Sequence, residues 1–131
     1  MEMKHKEITE QIISAAFYVH NALGWGFLEK VYQNAMIVKL KKDGVKVDVE
    51  VPVKVYFENE LVGDYFADLM VEDTIIVELK AVKELNPAHD AQLVNYLKAT
   101  GMNVGLLINF GESVKVKRKV FDKSFKSEKS V

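Results

Sequence analysis

Hydrophobic residues recur at helical spacing in three stretches of the chain. Residues 6–21 and 27–43 carry apolar side chains every three or four positions, the one-sided period of an amphipathic helix. Residues 87–100 have the same period, with Pro87 suited to a first helical turn and Gly101 suited to a helix end. We therefore predict a helix over each stretch.

The remaining segments predict five strands. They occupy residues 45–57, 61–71, 75–82, 102–109 and 113–120. The order is α-α-β-β-β-α-β-β, and the helix between the third and fourth strands requires a crossover, so the sheet should be mixed. We predict an α/β fold with helices covering a central mixed β-sheet, as one domain over residues 1–121. The polar, lysine-rich residues 122–131 are predicted to form a flexible tail.

The composition narrows the class of protein. The 131 residues carry a formal net charge of −1, so no global basic field indicates a nucleic-acid partner, although a bound metal would supply positive charge locally. Cysteine is absent, which excludes disulfides, thiolate metal sites and a cysteine nucleophile. The N-terminus has no apolar signal core and no apolar run is long enough to span a bilayer, so we predict a cytoplasmic protein without membrane contact.

Two ionisable residues stand inside an otherwise apolar strand. Glu78 and Lys80 interrupt residues 75–82, where the neighbours predict burial and an unpaired charge is costly. Side chains two positions apart on a strand point to the same face. If the preceding turn consists of residues 72–74, Asp68 faces Glu78 across the hairpin. A two-residue turn would instead put these carboxylates on opposite faces.

Facing carboxylates predict a site for a hard divalent cation. Asp68 and Glu78 would repel each other, and Mg²⁺, or Mn²⁺ in its place, would relieve that repulsion through oxygen ligands. The cation would polarise a phosphodiester and acidify its bound water, while Lys80 orients that water. The alternative is an ordinary solvated sheet face with ion pairs, which the spacing taken alone favours because such charge patterns are common by chance.

Two further patterns surround this hairpin. Residues 26–32 have the form G-x-x-E-x-x-Y, and residues 92–96 on the third helix have the form Q-x-x-x-Y. With the motifs in this order, residues 19–110 resemble the GxxExxY family, a branch of the PD-(D/E)xK nuclease superfamily. The Q-x-x-x-Y element is similar to that of RecB-like nucleases. The resemblance implies a restriction-endonuclease-like core, and that core has the element order predicted above.

The resemblance also implies roles for single residues. Asp68 and Glu78 match the principal metal ligands, and Glu29 matches a helix carboxylate that is a third ligand or a water organiser. Lys80 matches the catalytic lysine. The proline expected before the aspartate is replaced by Ala67, which the superfamily tolerates. Apart from the resemblance, a position near a helix N-terminus explains Glu29 adequately.

Gln92 and Tyr96 match a pair that binds substrate or supports the site. They share a helix face with His89, and an ordinary polar helix surface is the alternative explanation for this face. His20, before the glycine-rich break, is interpreted as a capping or packing residue. Two basic clusters are interpreted as solvated surface unless the fold brings one of them beside the site: Lys39, Lys41, Lys42, Lys115, Lys117, Arg118 and Lys119.

Three hypotheses about function follow. The leading one is a metal-dependent nuclease that hydrolyses phosphodiester bonds in DNA in preference to RNA, and a homodimer would suit cleavage of both strands. The second is a non-catalytic module on the same fold that binds nucleic acid or protein; the small size favours it and the intact acidic set opposes it. The third is an α/β domain with coincidental motifs, in which Asp68 and Glu78 would lie on opposite sheet faces.

Overall fold

The fold has the predicted order of helices and strands. A computed structural model describes residues 2–122, with side chains from His5 onward. The elements are α1 (Glu2–Leu23), α2 (Glu29–Lys42), β1 (Val47–Phe57), β2 (Glu60–Val71), β3 (Ile75–Lys80), α3 (Pro87–Thr100), β4 (Val104–Phe110) and β5 (Val114–Val120). Apart from Asp122, the predicted tail lies outside the described residues, so its flexibility stays a prediction.

The first residue of α2 differs from the predicted one for a backbone reason. Gly24 and Gly26 adopt positive φ angles of 78° and 106°, and Leu28 is extended, so the helix begins at Glu29 instead of residue 27. α3 begins and ends as predicted. Pro87 occupies its first turn, and Gly101 ends it with a left-handed φ of 78°.

The sheet is mixed, as predicted. Its strands lie in the spatial order β1-β2-β3-β4-β5. β3 and β4 are parallel and are connected by α3, whereas every other neighbouring pair is antiparallel. β1 and β5 are therefore the edge strands, and β3 and β4 lie in the interior of the sheet, where their apolar residues are buried on both faces.

The sheet separates two apolar clusters, one beneath α1 and α2 and the other beneath α3. The first includes Ile12, Ala16, Tyr32, Met36, Leu69, Val77, Leu106 and Ile108. The second includes Val53, Ala67, Ile76, Leu93, Leu97 and Leu107. Among residues 2–122, no helix combines the length and apolar character needed to cross a membrane.

β1 and β2 change the face that their apolar side chains present. Val47 packs with the first cluster, but Val51, an even number of positions later, packs with the second. Leu69 and Ala67 are likewise two residues apart on β2 and belong to different clusters. A regular strand would keep such residues on one face. The alternation breaks at Glu50, whose φ of 53° is left-handed.

Candidate active site

The turn between β2 and β3 has the length that the metal hypothesis requires. Val71 pairs with Ile75, so three residues connect the strands. Glu72 and Asp73 have positive φ angles of 51° and 57°, and the Thr74 N–H donates to the Val71 carbonyl at 3.0 Å. Positive φ at Glu72 and Asp73 turns the chain tightly, and Thr74 is the third residue of the connection. The register is therefore the one that brings Asp68 and Glu78 together.

Two carboxylates replace backbone partners where β2 and β3 separate. The ladder of paired residues ends at Leu69 and Val77. Immediately beyond it, the Asp68 N–H donates to Glu78 Oε2 at 2.7 Å, and the Leu79 N–H donates to Asp68 Oδ2 at 2.8 Å. Each carboxylate uses one oxygen for these bonds. The two acids are direct neighbours, which contradicts the coincidental-motif hypothesis, since that hypothesis puts them on opposite faces.

Burial disfavours the ionised form of the three carboxyl groups at the site, those of Glu29, Asp68 and Glu78. Glu78 is only 4% exposed, and burial, followed by the negative charge of Asp68, raises its pKa from 4.5 to about 8. Burial also raises the pKa of Asp68, against the Leu79 N–H and the positive charge of Lys80. The pKa of Glu29 is raised by burial and then by Asp68, again with Lys80 opposing. The structure thus brings these predicted acids and Lys80 into one electrostatic cluster.

The G-x-x-E-x-x-Y segment fixes the position of Glu29. Tyr32 is fully buried, and its ring stacks on Phe110 with a centroid distance of 4.6 Å and an interplanar angle of 9°. Its hydroxyl donates to the Gly24 carbonyl at 2.7 Å and accepts from the Phe27 N–H at 3.4 Å. The tyrosine therefore ties the loop before α2 to the core, and Glu29 follows as the first residue of the helix.

Sequence reasoning missed two polar residues beside the site, Glu50 and Gln33. Glu50 lies between Val49 and Val51, which pair with the two neighbours of Asp68, and its charge contributes to the raised pKa of Asp68. Gln33 is 4% exposed, and its Nε2 donates to Glu50 Oε2 at 3.0 Å and to the Asp68 carbonyl at 3.1 Å. One signal was present, since Gln33 follows Glu29 by one helical turn. Glu50, Asp68 and Glu78 lie side by side across three neighbouring strands, β1, β2 and β3. No local sequence pattern reveals this row of acids.

Tyr96 lies beside the acids and Gln92 is bonded to it. Gln92 Nε2 donates to the Tyr96 hydroxyl at 3.3 Å. The pKa of Tyr96 is raised by burial and then by the negative charge of Glu78. His89 has a different role, because its Nδ1 accepts the Asn86 N–H at 3.1 Å in the cap of α3. The structure therefore separates the two motif residues from the histidine on the same helix.

Asn109 holds the chain that leaves the site. It pairs with Lys80 in the parallel β3–β4 ladder. Its Oδ1 accepts the Val82 N–H at 2.9 Å, and its Nδ2 donates to the Val82 carbonyl at 2.8 Å. His20 Nε2 lies 2.8 Å from the Gly111 carbonyl, which gives this histidine the packing role predicted for it. Sequence reasoning missed Asn109, because its partner segment is recognisable only once β3 and β4 are adjacent.

Three lysines of the basic clusters form ion pairs with acids outside the site. Lys39 lies ten residues after Glu29 on α2, about 15 Å along the helix, and it pairs with Asp43. On β5, Lys117 and Lys119 lie 3.1 and 3.3 Å from Asp90 of α3. These exposed ion pairs agree with the solvated surface that was predicted for the clusters. In the sheet register, however, Lys115 and Lys117 pair with Asn109 and Leu107, which in turn pair with Lys80 and Glu78.

The residues present fit a divalent cation with few protein ligands. Among the described residues, no group of three or more histidine, cysteine, aspartate or glutamate side chains converges closely enough to hold a metal by itself. Mg²⁺ is commonly held by one or two carboxylates, with waters and substrate phosphate completing its coordination. Asp68 and Glu78 supply such a pair, and both are disfavoured as bare anions.

Comparison with protein families decides the class. The PD-(D/E)XK nuclease superfamily matches residues 6–121. The chain belongs to this superfamily. This superfamily is one of nucleases, and the pair of acids on the β2–β3 hairpin agrees with the membership. The narrower GxxExxY assignment stays a prediction. No curated protein matches the chain.

One of two similar solved structures supports the fold of this superfamily member. The crystal structure of SSO0001 superposes with a TM-score of 0.56 and 15% identity, over 78% of this chain and 55% of that chain. The present chain thus spans about half of the length of SSO0001. An alkaline exonuclease, LHK-Exo from Laribacter hongkongensis, superposes with a TM-score of 0.49 and 11% identity, over 92% of this chain and 86% of that chain. The predicted restriction-endonuclease-like α/β core is confirmed.

Proposed function

We propose that this chain is a divalent-metal-dependent nuclease that hydrolyses phosphodiester bonds in DNA. The observation that carries the proposal is the exchange of hydrogen bonds around Asp68 and Glu78, at 2.7 and 2.8 Å, next to Lys80. Each carboxylate accepts a backbone N–H where the ladder ends, but two adjoining carboxylates in a buried place cost stability when both are ionised. A cation offsets that cost.

Each site residue has a role in the proposal. Asp68 and Glu78 hold Mg²⁺, or Mn²⁺ in its place, with Glu29 as a further ligand or as an acceptor that orients water. When bound, the cation polarises the phosphodiester and makes water more acidic. Lys80 donates hydrogen bonds to the phosphate oxygens and so stabilises the negative charge that develops on them. Glu78 must lose its proton to bind the cation, so cation and proton compete for it.

Other parts of the proposal concern the substrate and the assembly. Tyr96 is within electrostatic reach of Glu78, Gln92 bonds to Tyr96, and in this proposal the pair contacts the substrate strand near the scissile phosphate. DNA rather than RNA is the proposed substrate, and pairing of two copies would let two sites cut both strands. Membership of the GxxExxY family and a cytoplasmic location, without membrane contact, are part of the same proposal.

A nuclease assay tests the chemistry. Purified wild type is incubated with linear DNA and with RNA in Mg²⁺, beside Lys80→Ala and the matched control Lys41→Ala, whose lysine lies at the far end of α2. We expect Lys80→Ala to cut at least about 100-fold more slowly, while Lys41→Ala matches wild type. Equal cutting by wild type and Lys80→Ala would exclude this site. DNA binding by wild type without cutting would instead favour the non-catalytic module.

A thermal melt tests the cation site independently of any substrate. Ligand binding to the folded state raises the unfolding midpoint, and about 2.7 kcal/mol is gained at a cation concentration 100 times the dissociation constant. We expect Mg²⁺ or Mn²⁺ to raise the midpoint of wild type and of Asp73→Asn, a change in the exposed turn. Asp68→Asn should lose that increase. An equal increase in all three proteins would show that the cation binds elsewhere.

A further inference from the structure

A wide groove lies between the β1–β2 hairpin and α3. It encloses about 890 Å³, within the range of ligand sites. We call it the hairpin groove. It is lined by Lys54, Val55, Tyr56, Val62, Gly63, Tyr65, Ala88, Ala91, Gln92, Asn95, Tyr96, Lys98 and Ala99.

The two walls of the hairpin groove differ in character. The α3 wall presents small side chains, Ala88, Ala91 and Ala99, which let a ligand approach the helix closely. The hairpin wall presents Tyr56 and Tyr65, which are 61% and 50% exposed. An aromatic ring left half-exposed inside a groove offers a flat face that a planar ligand can cover.

Gly63 determines where the Tyr65 ring lies. A Cβ atom at Gly63 would come within 2.9 Å of Tyr65 Cε2, so the ring crosses over this glycine. In that position it reaches Tyr96 of α3, with a centroid distance of 5.9 Å and an interplanar angle of 40°. The two rings therefore connect the hairpin wall with the helix wall at one end of the groove.

That end of the hairpin groove is also the edge of the acidic site. Tyr96 lines the groove and packs in the same apolar cluster as Ala67, the residue before Asp68, and its pKa is raised in part by the charge of Glu78. Gln92 lines the groove as well and bonds to Tyr96. A ligand that lies along the groove would thus pass from the hairpin to the carboxylates.

The hairpin groove has two lysines, enough to contact a few phosphates but fewer than a DNA duplex usually requires. Lys54 and Lys98 line the groove, and Lys54 forms only an exposed ion pair with Asp64 at 3.3 Å, which a phosphate can replace at small cost. Proteins that bind duplex DNA rely on many lysine and arginine contacts to phosphate. Here Lys117 and Lys119 are paired with Asp90, and the whole chain has a net charge of −1.

We propose that the hairpin groove binds an unpaired segment of DNA, with bases stacked on Tyr56 and Tyr65, and leads that strand to the carboxylates. The inference rests on the proposed nuclease function, because it assigns the substrate class of that same site. Unpaired bases expose both faces to aromatic side chains, whereas the bases of a duplex are covered by their neighbours. Single-stranded or frayed DNA is therefore the preferred substrate.

Binding without cleavage tests the inference. Fluorescence anisotropy of labelled oligo(dT), oligo(U) and a blunt duplex is measured in EDTA, so that no strand is cut. Wild type should bind oligo(dT) at least about tenfold more tightly than the duplex and no less tightly than oligo(U), and Tyr56→Leu and Tyr65→Leu should each weaken oligo(dT) binding by about 5- to 150-fold. Tyr65→Phe, which keeps the ring, should bind within about twofold of wild type.

A matched control is available on α1. Tyr18 is 60% exposed and lies outside the hairpin groove, so Tyr18→Leu should bind like wild type. Equal binding of duplex and single strand, tighter binding of oligo(U) than of oligo(dT), or wild-type binding by Tyr65→Leu would overturn the inference. So would tyrosine variants that alter only the sedimentation coefficient, since a second copy of the chain would then occupy the groove.

Failure of the inference and failure of the proposed function are distinguishable. If wild type cuts DNA, Lys80→Ala does not, and the tyrosine variants bind and cut normally, the function stands and the groove assignment is wrong. If wild type cuts nothing but single-strand binding still depends on Tyr56 and Tyr65, the groove assignment stands and the nuclease proposal is wrong.

Discussion

The β1–β2 hairpin has an inner half and an outer half. Both halves are paired, but they differ in how deeply their apolar side chains are buried. In the inner half, residues 47–49 pair with residues 69–71, and Leu69 and Val71 are fully buried. In the outer half, residues 51–57 pair with residues 60–67, and several large apolar side chains are at least half exposed. These exposed residues are Tyr56, Phe57, Leu61, Val62, Tyr65 and Phe66.

The acidic site lies at the boundary between these halves. Glu50 and Asp68 occupy the row at which the apolar side chains change faces. On one side of that row Leu69 and Val71 belong to the cluster beneath α1 and α2, and on the other side Val53 and Ala67 belong to the cluster beneath α3. Asp68 at this boundary is buried enough to have a raised pKa. The hairpin therefore combines a well-packed half with an exposed half, and the acid lies where the two meet.

The largest expected difference between the halves is in stability. Leu69→Ala removes a fully buried side chain of the inner half and should lower the free energy of unfolding by about 2–5 kcal/mol. Leu61→Ala, at a residue that is 50% exposed in the outer half, should change it by less than about 0.5 kcal/mol. Urea unfolding of both variants measures the difference. Comparable losses would mean that the outer half is covered in solution, for example by a second copy.

Two glycines provide a second contrast. A Cβ atom at Gly105 on β4 would lie 2.7 Å from Leu93 Cδ1 in the buried α3 packing, so Gly105→Ala should cost about 1–3 kcal/mol. At Gly63 in the outer half the closest atom is the end of the half-exposed Tyr65 ring, which can swing aside, so Gly63→Ala should cost less than about 1 kcal/mol. Thermal unfolding compares them, and a larger loss for Gly63→Ala would contradict this account.

Glu78 should make the stability of the folded protein depend on pH. In the cation-free protein, Glu78 keeps its proton up to a pKa of about 8, whereas the unfolded chain loses it near 4.5. The folded form binds the extra proton in that window, so stability falls as pH rises through it, by about 1.4 kcal/mol per pH unit from this group. Glu78→Gln should flatten the slope between pH 5 and 8. Glu60→Gln, at the exposed hairpin end, is the control, and an unchanged slope in Glu78→Gln would contradict the prediction.

The smallest expected effect concerns the turns at the two ends of β2. Glu58 in the outer turn has a φ of 49°, so Glu58→Gly should raise the free energy of unfolding by about 0.5–1 kcal/mol through relief of left-handed strain. Glu72 in the inner turn has a φ of 51°, but its Oε2 accepts the Lys46 N–H at 2.7 Å. Glu72→Gly loses that bond and should gain less. Differential scanning calorimetry compares the two, and the reverse order would contradict the assignment.

The sequence by itself determined the element order and the crossover, and it reduced the hairpin register to two alternatives, between which the structure decides. Periodicity locates helices and strands because burial acts on side chains at fixed spacing. The three-residue turn sets the pairing of Val71 with Ile75, and this pairing alone makes Asp68 and Glu78 neighbours. The helix start was misplaced by two residues, because the loop before α2 is held by the Tyr32 hydroxyl and not by a local capping signal.

Only the tertiary structure decided what surrounds those two acids. Glu50 and Gln33 join them because β1 and α2 meet at the row where the ladder opens. The two walls of the hairpin groove are joined at one end by the contact between Tyr65 of β2 and Tyr96 of α3. Contacts between elements distant in sequence depend on backbone twist, strand separation and packing, which no short pattern encodes. The raised pKa of Glu78 has the same origin, since it reports the burial of a whole assembled site.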